Sequence, residues 1–167
     1  MSKNLILGYG NADRQDDGVA WYILVGIAKK LGLKPPQEPG EPFETYQDDL
    51  DIQFMLQLYP EMAENLDKYD RVYFIDAHTG EIEQEISFQE VKPQYQQSPF
   101  THHLTPQSLL SIAKTIFDRS PQSFLLSVRG YYFGFDRNLS SRTAQLCEEA
   151  ISLLWQSLLH PRTPEAH

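Results

Sequence analysis

Cysteine is almost missing: Cys147 is the only one in 167 residues. That excludes an internal disulfide framework, and the lack of further thiolates argues against a closed structural zinc site. No apolar run approaches the ~20 residues a helix needs to cross a bilayer. Positive charge is scarce, with 14 Lys and Arg against 23 Asp and Glu and a net charge of −9. Such a balance argues against nucleic acid, whose binding depends on phosphate neutralisation, and against anionic membranes. It suits a cationic partner, either a metal ion or a basic peptide. No Gly-x-Ser-x-Gly elbow is present. The N-terminal Met1-Ser2-Lys3-Asn4 has neither the basic nor the apolar stretch of a secretory signal, so a cytoplasmic protein is expected.

What is there reads as one α/β domain over residues 1–160, followed by a flexible tail over 161–167. Hydrophobic residues make up 41% of the chain, enough for a packed core. A buried strand is expected at 5–9. A helix over 17–31 follows, with Val19, Ala20, Ile23, Leu24, Ile27, Ala28 and Leu31 on one face and Gly32 closing it. Residues 43–47 could form a strand, and 52–58 fits either element. Pro60 opens a helix to about residue 68, and "RVYFID" at 71–76 is a strand. "EISFQEV" at 85–91 alternates like a half-exposed strand. A loop over 92–103, a helix that Thr105-Pro106 begin and that runs over 107–119, a buried strand over 123–128, an aromatic loop over 131–138 and a helix over 141–159 complete the chain. The expected fold is therefore a three-layer α/β domain: a twisted, mostly parallel sheet of about five strands with helices on both faces. Ligands of such sheets bind outside the carboxyl ends of the strands.

Chemistry-bearing residues gather at those ends. The stretch "GYGNADRQDDG" at 8–18 joins the first strand to the first helix, as a phosphate-binding turn does. However, Asp13 stands at the third glycine position of a dinucleotide fingerprint, and Asp16 and Asp17 sit at the helix start. Carboxylates there suit the helix dipole but repel a pyrophosphate. A nucleotide-binding module is therefore disfavoured, and the plain alternative makes Asp16 an N-cap and Asp17 a first-turn acid. Asp76 closes the strand "RVYFID", where a carboxylate is costly unless it is paired or metal-bound. It could equally tie down the turn that follows. His102 and His103 precede a helix; either could ligate a metal, or both could be surface or capping residues. His78 could line the cleft, as could Tyr46 and Gln47, and the run Tyr131, Tyr132, Phe133 and Phe135 fits a docking surface or core. Cys147 lies on a helix face, a core position more than a nucleophile's.

Taken together, these motifs resemble the [NiFe]-hydrogenase maturation endopeptidases. Leu7-Gly8-Tyr9-Gly10-Asn11 followed by Asp16-Asp17-Gly18 matches that family's opening motif. Phe74-Ile75-Asp76-Ala77 matches its strand ending in Asp-Ala, and Thr101-His102 before Leu109-Leu110 matches its histidine segment. Phe133 to Ser140 matches a later segment loosely. The resemblance spans about residues 4–158. It implies an enzyme that removes the C-terminal extension of a hydrogenase large-subunit precursor after nickel insertion. Carried over, the metal-contacting residues are Asp17, Asp76 and His102, with His103 as the alternative, and the catalytic residues are Asp17 and Asp76. Gly8, Gly10, Asn11, Asp16 and Gly18 form the supporting turn. The resemblance implies nickel supplied by the substrate, no organic cofactor, a hydrogenase large-subunit precursor as partner, and a monomer. The competing readings are a non-proteolytic nickel-binding accessory protein and a metal-assisted peptidase or amidase with another substrate.

Overall fold

The computed structural model describes residues 2–95 and 103–162. Five strands form one sheet: β1 Asn4–Tyr9, β2 Leu50–Met55, β3 Arg71–His78, β4 Ile86–Val91 and β5 Gln122–Arg129. Their order is β2-β1-β3-β5-β4; the first four are parallel and β4 runs antiparallel at one edge. Among the described residues three α-helices accompany them: α1 Val19–Lys30, α2 Pro106–Phe117 and α3 Ser141–Leu159.

The period-two alternation of the strands sorts side chains into two cores. Ile6, Tyr73, Ile75, Phe124, Leu126 and Val128 face α1 and α3. Leu5, Leu7, Val72 and Phe74 face α2 and the 3₁₀ segment Pro60–Lys68. The sheet is thus covered on both faces, which explains why β1 and β3 read as unbroken apolar runs. Each fully buried aliphatic side chain among them contributes about 1.5–3 kcal/mol relative to exposure.

Helix ends follow their local chemistry. After α1, Gly32 takes φ +79° while its N–H reaches the Lys29 carbonyl and that of Leu33 reaches Ala28, the paired bonds of a Schellman stop. Thr105 caps α2 by accepting from the Ser108 N–H at 3.1 Å, and Ser140 caps α3 by accepting from the Thr143 N–H at 3.4 Å.

The structure corrects several local expectations. Residues 43–47 form no strand. Only Tyr46 bridges to Leu50, because Gln47 and Asp48 turn the chain with φ of 52° and 61°. Residues 60–68 wind as a 3₁₀ helix. The Asp-Asp pair sits within a separate 3₁₀ turn, Gln15–Gly18, and α1 proper begins at Val19. The strand expected over 71–76 runs on to His78. Near the C-terminus the Arg162 carbonyl accepts from Arg71 at 2.9 Å, and its guanidinium lies over Phe124 at 5.6 Å. Residues 163–167 lie outside the described residues.

Candidate active site

The sheet order reverses direction between β1 and β3: β1 leads outward to β2, and β3 leads the other way to β5. A crevice opens at the carboxyl ends of strands at such a point. Tyr9 ends β1 there, and Asp76 lies near the end of β3.

Strand parity puts Tyr9, Asp76 and Ser127 on the same face as Leu7, Phe74 and Leu125. Ser127 is the register partner of Asp76 across β3 and β5. Its hydroxyl donates to Asp76 Oδ1 at 2.5 Å, and the Tyr9 hydroxyl donates to Oδ2 at 2.7 Å. Burial pushes the Asp76 carboxyl above its ordinary range, although the hydrogen bonds from Ser127 and Tyr9 act against it. Burial and the neighbouring Asp76 hold the Tyr9 phenol well above its own ordinary value, so Tyr9 remains a donor. Each Asp76 oxygen accepts one bond and keeps a lone pair for a proton or a cation.

The turn after β1 explains the glycines. Gly10 has φ +146°, and a Cβ there would lie 2.1 Å from the Asp17 carbonyl oxygen. At Gly18 a Cβ would lie 2.6 Å from the Ala12 Cα. Both positions let the turn fold back onto the 3₁₀ segment. Gly8 serves packing, since a Cβ would press on Leu24 of α1. Asn11 closes the turn by accepting from the Asp13 N–H at 3.0 Å. The Asn11 N–H donates to Asp17 Oδ2 at 2.7 Å. A turn N–H that a phosphate-binding loop would aim at its ligand is here bonded to the chain's own carboxylate.

Asp16 and Asp17 diverge completely. Asp16 has 0% exposure. Its carboxylate accepts from the N–H groups of Tyr131, Tyr132 and Ser140 and from the hydroxyls of Ser140 and Thr143, all at 2.7–3.0 Å. Burial disfavours its charge, but the bonds from Ser140, Tyr131 and Tyr132 outweigh that and the carboxyl is lowered from its ordinary value. Asp16 is thus not a helix N-cap; it fastens the 131–140 segment and the start of α3 to the first turn.

Asp17 and Asp76 line one cavity of about 410 Å³, together with Tyr9, Arg14, Leu56 and His103. The structure therefore brings Asp17, Asp76, Arg14 and His103 to the lining of one cavity at the switch point, where the Arg14 guanidinium donates to the Phe133 carbonyl at 3.3 Å. His102 and Thr101 lie outside the described residues. His78 is buried at the end of β3, where its Nδ1 accepts from the Gly80 N–H and its Nε2 donates to the Glu85 carbonyl. Neither it, Tyr46 nor Gln47 lines this cavity. The aromatic loop is outside the core: Tyr131, Tyr132 and Phe135 are exposed. Among the described residues no three His, Cys, Asp or Glu side chains are grouped closely enough to hold a metal ion on their own.

Sequence reasoning missed Tyr9, Ser127 and Arg14. The signal for Ser127 was a polar residue at an inward position of a buried strand, and for Tyr9 its parity with Leu5 and Leu7. A larger cavity of about 560 Å³ between α1 and α3 is lined by Lys29, Lys30, Cys147 and Glu148, away from the strand ends. Burial, with the Glu148 charge, pushes the Cys147 thiol up to about 12, so it is no thiolate nucleophile at neutral pH.

No protein-family model and no curated protein matches the chain. Solved structures do match along nearly its whole length, several of them hydrogenase maturation proteases. The [NiFe] hydrogenase maturation protease HycI from Thermococcus kodakarensis KOD1 is 20% identical, covers 95% of this chain and 94% of its own, and superposes with a TM-score of 0.63. The hydrogenase maturating endopeptidase HybD from E. coli is 16% identical over 94% of this chain and 92% of its own, with a TM-score of 0.66. The hydrogenase 2 maturation peptidase from Thaumarchaeota archaeon SCGC_AB-539-E09 is 18% identical over 93% and 97%, with a TM-score of 0.59. This chain shares their fold.

Proposed function

We propose that this chain is an endopeptidase that removes the C-terminal extension of a [NiFe]-hydrogenase large-subunit precursor once nickel has been inserted. One observation carries the reading: Asp17 and Asp76, far apart in sequence, converge with His103 on one cavity at the switch point of this fold. The similar solved structures described as hydrogenase maturation proteases support the same activity.

The donor chemistry suits a divalent ion carried by the substrate. Carboxylate oxygens and an imidazole are accepted ligands of nickel. Asp17 and Asp76 supply the carboxylates, and His102, with His103 as the alternative, supplies the imidazole. The incoming protein brings the remaining ligands, so contact with the ion reports that loading is complete and places the scissile bond. A divalent ion next to that bond can polarise its carbonyl or lower the pKa of a bound water. Arg14 brings a positive charge to the wall where an oxyanion would develop. Tyr9 and Ser127 hold the Asp76 carboxylate in one orientation through both of its oxygens. We further propose that the protein works as a cytoplasmic monomer without an organic cofactor.

The test is the intact mass of the large-subunit precursor from the same genome, incubated with this chain with and without nickel loaded. Loss of a C-terminal peptide from the loaded form alone is the expected result. Loss from neither form, with nickel binding by this chain demonstrated alongside, overturns the proteolytic reading in favour of an accessory binder.

A further inference from the structure

β2 is an edge strand, and part of that edge is unpaired. The Gly10 N–H donates to the Met55 carbonyl at 3.0 Å, so Met55, and by alternation Gln53 and Asp51, direct their backbone groups toward β1. Leu50, Ile52 and Phe54 direct theirs outward. Leu50 is satisfied there, since it exchanges both backbone bonds with Tyr46 at 2.9 and 3.2 Å. Among the described residues no backbone bond reaches the outward N–H or C=O of Ile52 or Phe54.

This edge faces a groove rather than open solvent. A cavity of about 480 Å³ is lined by Asp51, Ile52, Gln53, Phe54 and Met55 on one side and by the 39–43 loop on the other. Five consecutive strand residues, whose side chains alternate between faces, border a single cavity only when it lies along the strand edge. Phe54, Met55, Pro39 and Gly40 also line the next cavity, of about 570 Å³. That one in turn shares Gly10, Asn11 and Leu56 with the cavity of Asp17 and Asp76. Leu56 stands at the junction with 58% exposure, an apolar side chain the core does not use. The three cavities form one path from the unpaired edge to the two acids.

We infer that β2 binds an extended segment of the protein substrate as an added strand, its main chain pairing with Ile52 and Phe54 before it crosses to the acids. Strand addition on an exposed edge is a recurrent mode of peptide recognition, with main-chain bonds giving affinity. The inference rests on the proteolytic reading and adds how the scissile segment is gripped. It also fixes a spacing. Met55 is level with Tyr9, and Gly8 with Ile75, so the end of β2 stands beside Asp76 with β1 between. An added strand lies three strand spacings from β3, about 14 Å, which an extended chain spans in roughly four residues. The paired residues of the substrate therefore lie about four to six positions from the bond that is cut.

Single-residue amide exchange of the intact chain tests this. Short labelling pulses are taken with and without an excess of the nickel-loaded large-subunit precursor, and processing is followed by mass in the same tube. The amides of Ile52 and Phe54 should slow on the order of tenfold, while that of Gln53, already bonded to β1, stays unchanged. Unchanged exchange at Ile52 and Phe54 overturns the edge-strand inference, whether or not the extension is removed. Protection at both without removal upholds the edge contact and overturns the proteolytic reading. A proline scan of the precursor adds an independent readout: KM should rise at alternate positions in the paired stretch with kcat retained, and a profile without that alternation overturns the inference.

Discussion

Replacing Asp16 with alanine should cost far more stability than replacing its neighbour Asp17. Asp16 accepts five hydrogen bonds, two of them from hydroxyls. Those two can turn to other acceptors, as Thr143 already does toward the Arg129 carbonyl at 3.0 Å. The N–H groups of Tyr131, Tyr132 and Ser140 are fixed by the backbone and cannot. Three stranded donors at about 1 kcal/mol or somewhat more each give a loss of about 3–5 kcal/mol. For a domain of this size that lowers Tm by roughly 10–15 °C. Asn in place of Asp16 recovers only part of it, because one side of the amide turns N–H against N–H. The sign with pH follows from the lowered carboxyl of Asp16. Its contribution is fully present above the ordinary carboxylate range and is lost as pH falls through the native value, so the gap between wild type and Asp16→Asn narrows in acid. Asp17→Ala forfeits one bond to the Asn11 N–H, about 1 kcal/mol, and should abolish processing with the fold intact. Calorimetric melting of the three variants from pH 7 down to pH 3 is the assay. An Asp16→Ala melt within about 2 °C of wild type, or an equal loss in Asp17→Ala, would refute the division of labour between the two acids.

Asp76→Asn should abolish processing while raising Tm at pH 7. Burial raises the native carboxyl of Asp76, so its ionisation opposes folding; the penalty is absent below the unfolded value and grows as pH rises toward the native one. The gain in Tm should therefore disappear in acid, and a pH-independent gain measured by thermal melting contradicts that cause. For the imidazole, precursor processing by His102→Ala and His103→Ala is compared by mass: His102→Ala should lose activity and His103→Ala retain it, whereas the reverse result assigns the role to His103.

Legibility from sequence depended on whether a residue's partners were local. The Schellman stop at Gly32, the cap at Thr105 and the extent of α3 involve residues within a few positions, and their signals were readable. β1 and β3 were readable because burial on both faces leaves no polar interruption until the strand end. Asp76 stood out because it breaks such a run. Ser127 did not, since its value comes from a register between β3 and β5 that pairs it with a residue 51 positions away. Residues 43–47 looked like a strand by composition, but pairing was limited to one bridge by the left-handed turn at Gln47 and Asp48. The sharpest case is the acidic pair itself. Asp16 and Asp17 are chemically identical neighbours, and nothing within a helix turn of either tells them apart. The donors that immobilise Asp16 lie 115–127 positions downstream, and they reach it only because α3 packs beside α1 and delivers its N-terminus to the first turn. Once one acid of the pair is drawn into that buried set of donors, the 3₁₀ geometry of the turn sends the next toward the crevice, where among the described residues the Asn11 N–H alone donates to its carboxylate. The family-like motif uses its two acids differently: one locks the walls of the cavity together, and the other leaves a carboxylate oxygen facing the crevice.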